Sequence, residues 1–276
     1  MTAQRLCPQT IDEATQLLAQ HANEARVIAG GSDLLPEIDQ GTLTPNYLID
    51  LGEIPNLDYI REDGDHVRLG ARVTHDQIIQ SELAQRLAPL LVRACSMFSD
   101  ADIRKKSTVV GNIASGLSTN LTVAALWAMG AEVKLKSVRG ERTVTFNDFF
   151  KGVRQTVLAP DELIVEIAFS KMSPKDKGAF VATGWSRDEA SPQVTVAVVL
   201  EFDGDEISNA WINIGGVAPT VVNAIEAEQS LVGQWLSDVA IDEAADLAMN
   251  AVVTNPDATE IVRELVGKAM REIRDS

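Results

Sequence analysis

Apolar residues recur at helical spacing across residues 10–21, where Ile11, Ala14, Leu17 and Leu18 share a face and Thr10 offers an N-cap hydroxyl. The pattern then contracts to a short apolar strand over 26–29. That strand runs into the turn Gly30-Gly31-Ser32-Asp33, and residues 47–50 read as another strand. The opening 55 residues therefore predict a small β-α-β unit with a glycine turn at the end of a buried strand.

A second stretch, about 58–170, predicts a strand at 67–69, helices at 74–83, 84–97 and 123–129, and a hairpin of 132–137 with 142–144 around Arg139-Gly140. Residues 163–169 alternate as a strand. Between these elements, residues 108–120 are so rich in Gly, Ser, Thr and Asn that they read as one long ordered loop. Residues 171–177, with Pro174 and three lysines, form the best linker. Beyond it, strands at 194–202 and 210–214 flank the turn Asp203-Gly204-Asp205, and helices at 238–251 and 260–274 close the chain as a separate α+β domain.

Length and charge narrow the possibilities. The 276 residues suffice for two cores. The formal charge of −16 argues against nucleic acid and anionic lipid, both of which need clustered Lys and Arg. No apolar run approaches the roughly 20 residues that span a bilayer, and the first residues lack an apolar signal core, which predicts a cytoplasmic protein without direct membrane insertion. Two cysteines, Cys7 and Cys95, without a Cys-x-x-Cys pair cannot hold an iron–sulfur cluster. They read as plain buried thiols. Three scattered histidines give no metal set, so any metal chemistry belongs to another chain.

Two segments carry candidate chemistry. In Val27-Ile28-Ala29-Gly30-Gly31-Ser32-Asp33-Leu34, a strand entering two glycines can expose consecutive backbone N–H groups to a phosphate. The same residues also suit a tight turn capped by Ser32 or Asp33. The second segment includes Thr108, Gly111, Asn112, Ala114, Ser118 and Asn120. It is dense in uncharged hydrogen-bonding groups that suit ribityl hydroxyls and a pyrophosphate, or an irregular connection that uses Asn120 to cap the next helix. Neither fits Gly-x-Gly-x-x-Gly or a triphosphatase phosphate loop, and no nucleophile–base pair is evident. A cofactor holder fits better than a hydrolase. His75 reads as a structural histidine, Lys105-Lys106 as a solvated turn, and Trp185 and Trp211 as core or interface residues.

Taken together, the segments resemble the FAD-binding (medium) subunit of the xanthine dehydrogenase and carbon monoxide dehydrogenase family of molybdenum hydroxylases. Ala29-Gly30-Gly31-Ser32-Asp33-Leu34 matches the family's first flavin loop, and Thr108-Val109-Val110-Gly111-Asn112-Ile113 its second, Thr-Ile-Gly-Gly-Asn-(Ile/Leu). Leu48-Ile49-Asp50-Leu51, Gly70-Ala71-Arg72-Val73-Thr74-His75, Asp102-Ile103-Arg104, Arg139-Gly140-Glu141-Arg142, Asp148-Phe149-Phe150-Lys151-Gly152, Thr156-Val157-Leu158 and Asp161-Glu162-Leu163-Ile164 follow in family order.

The resemblance implies an α+β fold. A two-lobed FAD-binding domain of the vanillyl-alcohol-oxidase (PCMH) type would span 1–172, with lobes at about 1–55 and 56–172, and a smaller α+β domain of the carbon monoxide dehydrogenase flavoprotein C-terminal type would span 176–276. FAD would lie between the lobes, its pyrophosphate against Gly30-Gly31 and Gly111, with Leu158 near the ring. The implied partners are an iron–sulfur subunit that delivers electrons and a large subunit carrying the molybdenum cofactor, assembled as a dimer of heterotrimers. The sequence departs from the family at Val110, at Asn120 in place of an acid, and across Val181-Ala182-Thr183-Gly184-Trp185-Ser186-Arg187, which lacks the family's flavin-side lysine. These departures leave open the alternative of an FAD-poor scaffold or assembly subunit.

Overall fold

The computed structural model describes residues 3–98, 100–183, 193–252 and 256–276, the side chain of Pro256 excepted. Strand β1 (Gln4–Leu6), helix α1 (Ile11–His21), strand β2 (Ala25–Ile28), helix α2 (Leu34–Asp39) and strand β3 (Tyr47–Asp50) form the first lobe. Its sheet is wholly parallel, in the order β1-β3-β2. Thr10 Oγ1 accepts from Glu13 N at 3.1 Å, the expected cap of α1, and Ala14 and Leu18 bury the helix's apolar face.

The second lobe is an antiparallel sheet in the order β4-β5-β10-β6-β7, comprising β4 (Ile60–Asp63), β5 (His66–Gly70), β6 (Glu132–Ser137), β7 (Gly140–Thr145) and β10 (Leu163–Ser170). Six helices precede β6: α3 (His75–Gln80), α4 (Glu82–Leu87), α5 (Pro89–Ser96), α6 (Ala101–Lys106), α7 (Val109–Ala114) and α8 (Leu121–Ala128). A short helix α9 (Phe146–Phe149) and a two-stranded ribbon of β8 (Phe150–Gly152) and β9 (Gln155–Thr156) follow β7. Ala71, Leu163 and Val165 join Ala14, Leu18 and Ile49 in one apolar cluster that welds the lobes along one side.

Strands β11 (Asp176–Ala182), β12 (Thr195–Asp203), β13 (Glu206–Gly215) and β14 (Val222–Asn223) make a third, antiparallel sheet. Helices α10 (Ile225–Leu231), α11 (Asp238–Asn250) and α12 (Pro256–Arg274) cover one face of it. Phe180, Ala197 and Val199 on the other face enter the second lobe's core. Helix α8 lies against this face, buried at every position except Trp127, which explains why its sequence is apolar all round instead of striped.

Several expectations are corrected. Residues 108–120 are not one loop: α7 forms within them, because Thr108 caps it and Val109, Val110 and Ile113 find a core. The two helices expected over 74–97 are three, divided at Ser81, which caps α4, and at Ala88 before Pro89. The expected linker ends inside β11, a strand the sequence reading missed, as Asp176 and Lys177 already pair with Glu201 and Leu200. Lys105 and Lys106 are exposed but stand in the last turn of α6. Cys7 is exposed and Cys95 alone is buried. Trp211 is 40% exposed on β13 and so is no core residue; Trp185 lies outside the described residues.

Candidate functional site

The first lobe's strand β2 ends at Ile28 and the chain turns through Ala29-Gly30-Gly31-Ser32 into α2, with Asp33 at its N-cap position. Gly31 adopts φ 72°, a left-handed conformation that glycine reaches without Cβ strain. Gly30 is required for a different reason: a Cβ there would collide with the carbonyl of Lys106. The first segment therefore touches, backbone to backbone, the end of α6 that leads into the second, and a side chain at Gly30 would prise them apart.

The second segment is built from its own side chains. Thr108 Oγ1 accepts from Gly111 N at 3.0 Å. The Asn112 carbonyl accepts from Asn120 Nδ2 at 2.8 Å and from Ser115 Oγ at 2.9 Å. Asn120 Nδ2 also donates to Ser115 Oγ at 2.6 Å, and Thr122 Oγ1 to Asn112 Oδ1 at 2.5 Å. Asn120 stands at the N-cap position of α8 but makes no capping bond; its amide ties the segment together instead. An aspartate could not donate either bond.

The segment Gly70-Ala71-Arg72-Val73-Thr74-His75 backs this arrangement. Thr74 and Thr108 form an antiparallel bridge, with His75 N donating to Ser107 O at 3.2 Å and Val109 N to Val73 O at 2.9 Å. Ser107 Oγ donates to Ile103 O at 2.7 Å, so its contact with His75 Nδ1 at 2.8 Å requires Nδ1–H as the donor. The neutral ring is fully buried, stacks on Phe98 at 4.4 Å, and leaves Nε2 without a hydrogen-bond partner among the described residues. Burial drives its pKa down to about 4.

Between the lobes runs a cleft of about 940 Å³. Val27, Ile28, Ala29, Gly30, Gly31, Ser32, Asp33, Leu34, Thr108, Gly111, Asn112, Ala114, Asn120 and Leu158 all line it. Ser118 does not: it is buried against the third sheet, where its Oγ donates to Ala218 O at 2.8 Å. Leu158 is held through Glu162, which receives both Arg142 Nε and Nη2 at 2.7 Å and the Ala159 N–H at 2.9 Å. Arg142 keeps the Glu162 carboxyl below the usual carboxylate range. Val110 lies in the core and outside the cleft lining, so a side chain in place of the family's first glycine takes nothing from the cleft.

The sequence reading missed Phe98, Ser107, Arg154, Pro160 and Glu162 as cleft residues. Arg154 had a signal, its place in a tight turn after Gly152, but a positive φ at a non-glycine residue is invisible in sequence. The lining mixes backbone, uncharged polar groups and apolar surface, with Arg26 and Arg154 its cations and Asp33, Glu37 and Glu162 its carboxylates among the described residues. That composition fits a long dinucleotide that needs backbone donors at its phosphates and apolar walls at a ring.

Fold and cleft thus define a two-lobed dinucleotide-binding protein with an appended α+β unit. Residues 1–171 match the FAD-binding domain of molybdopterin dehydrogenases and residues 184–272 the carbon monoxide dehydrogenase flavoprotein C-terminal domain. The carbon monoxide dehydrogenase medium chain of Hydrogenophaga pseudoflava is 32% identical over 88% of this chain and 84% of its own length. The nicotine 6-hydroxylase medium subunit of Paenarthrobacter nicotinovorans is 31% identical over 87% and 83%. A solved carbon monoxide dehydrogenase from H. pseudoflava superposes with a TM-score of 0.92 at 29% identity, over 100% of this chain and 98% of that one. The chain belongs to the FAD-binding family of molybdopterin dehydrogenases, and is an FAD-binding subunit of an oxidoreductase. Among the described residues, no helix is long and apolar enough to cross a membrane.

Proposed function

We propose that this chain holds FAD in the interlobe cleft and carries electrons from a partner iron–sulfur subunit to an external acceptor, within a multi-subunit molybdenum hydroxylase. The observation that carries this reading is the meeting of both glycine-bearing segments on one cleft. FAD supplies one- and two-electron chemistry when bound. The chain's own residues bind, orient and exclude water. The Gly30-Gly31 turn offers backbone donors, Gly111 lines the cleft without a side chain, and the Arg142–Glu162 pair fixes the segment that presents Leu158. Among the described cleft residues no nucleophile–base pair stands out, which supports a role in electron passage without side-chain acid–base catalysis.

The proposed partners are an iron–sulfur subunit and a large subunit with the molybdenum cofactor, in a dimer of heterotrimers. The medium chains named above are themselves parts of multi-subunit enzymes, which supports the assembly. We assign the cofactor domain to 1–172 and the appended domain to 176–276. Two measurements test the reading. Purified protein titrated with FAD should take up one equivalent, with bands near about 375 and 450 nm, and tagged protein expressed with its genomic neighbours should retain both partners. A chain that binds no FAD even in its complex is a scaffold, and a chain that stays alone in its native host has no such assembly.

A further inference from the structure

Arg154 sits in the turn between β8 and β9 with φ 55°, a conformation that costs a non-glycine residue free energy and persists where the surroundings enforce it. The enforcement is visible. Arg154 N donates to Gly116 O at 2.8 Å, and Gly116, itself at the left-handed φ 66°, packs closely on the turn, since a Cβ would stand a tight 3.1 Å from the Arg154 backbone. The turn is thereby pinned to the end of α7. From it the guanidinium reaches the first lobe, where Nη1 meets Glu37 Oε1 on α2 at 2.9 Å. Both residues line the cleft. The apolar cluster of Ala14, Ile49, Ala71 and Leu163 already joins the lobes on another side; the Glu37–Arg154 pair joins them across the cleft itself.

We propose that Glu37 and Arg154 form a clasp across the cleft that sets how fast FAD leaves, a positioning role beyond the binding loops and resting on the function proposed above. Exposed ion pairs contribute little to stability: the arginine side chain is 58% exposed and the glutamate 34%. A pair of that strength, used as a closure, changes an escape rate by up to about fivefold.

The test is the FAD dissociation rate of the full chain, read from the recovery of flavin fluorescence on dilution. E37Q and R154G should each release FAD about two- to fivefold faster. The swap, Glu37→Arg with Arg154→Glu, should restore most of the loss. R154G also separates clasp from scaffold. Glycine relieves the left-handed strain, so this variant should melt no lower than wild type while losing FAD faster. Faster release only in R154G, with slower release in E37Q, would overturn the clasp in favour of a direct arginine–phosphate contact. Unchanged rates in both would overturn it outright. A wild-type chain that takes up no FAD would instead sink the proposed function, and the clasp with it.

Discussion

The two segments that face each other across the cleft are built on opposite principles. The first, Ala29 to Leu34, is part-exposed backbone on the end of a parallel strand, and two glycines set its shape. The second, Thr108 to Asn120, contains a helix with a buried apolar side, and polar side chains bond its backbone and one another: Thr108 accepts from Gly111 N, Asn120 donates to the Asn112 carbonyl and to Ser115, and the following Thr122 donates to the Asn112 side chain. One wall is pliable in its side chains and fixed in its backbone; the other depends on its side chains. Change at the first wall should thus be punished sterically, and change at the second through lost hydrogen bonds.

Gly30 gives the sharpest way to break that contrast. Gly30→Val drives a branched side chain into the Lys106 carbonyl, which belongs to backbone and cannot rotate away. We expect about 3 kcal/mol of destabilisation with loss of FAD uptake, measured by thermal melting and titration. Gly111→Ala, in the other wall, meets only Thr108 Oγ1 at 2.9 Å. That hydroxyl can turn aside at the loss of its capping bond, about 1 kcal/mol. If both substitutions cost the same, the two walls do not differ as described.

The next effect belongs to the second wall's support. Because His75 has a folded pKa of about 4, its ring stays neutral while the same histidine in an unfolded chain protonates near 6.5. Between those values the unfolded state binds more protons, so stability falls as pH falls from 6.5 and levels off below about 4. The loss attributable to this residue is about 3 kcal/mol. The stabilities of wild type and His75→Gln, from denaturant melts across that range, should diverge by this total. Parallel curves would mean that the ring is hydrated and titrates in the folded protein.

Much of this architecture was legible in the chain. Thr10 with its following apolar stripe gave α1, and the apolar runs before Gly30 and at Tyr47 gave the parallel strands. Strand β11 was missed because Lys177 and Gly178 break the apolar pattern at an edge, where only Ala179, Phe180 and Val181 are buried. Helix α7 was missed because the Gly, Ser, Thr and Asn of residues 108–120 signal a loop, whereas the Thr108 cap and the burial of Val109 and Ile113 override propensity. In the candidate site, adjacent loop residues were readable as a group. Arg154, Phe98 and Ser107 arrive from distant parts of the chain, and only the packing of the lobes brings them there.

Asn120 tests whether the family acid would serve this second wall better. Asn120→Asp removes the amide that donates to Asn112 O and Ser115 Oγ and sets a carboxylate against that carbonyl. The expected cost is about 2 kcal/mol of stability, with FAD affinity falling with it. A gain in both would mean that the amide network is incidental and that the position addresses the cofactor directly.

Ser118 should give the smallest effect and the cleanest separation of wall from anchor. It belongs to the second segment in sequence but leaves the cleft to bond Ala218 O, and its own carbonyl lies so near Gly215 that a Cβ there would clash. Ser118→Ala should therefore cost about 1 kcal/mol in a thermal melt while FAD dissociation stays at the wild-type rate. The polar partner left behind is a backbone carbonyl, which tolerates loss of a donor better than a buried N–H tolerates loss of an acceptor. A several-fold rise in FAD release without a change in melting would return Ser118 to the cofactor's wall. The expected result makes it the peg by which the third sheet holds the segment's far end.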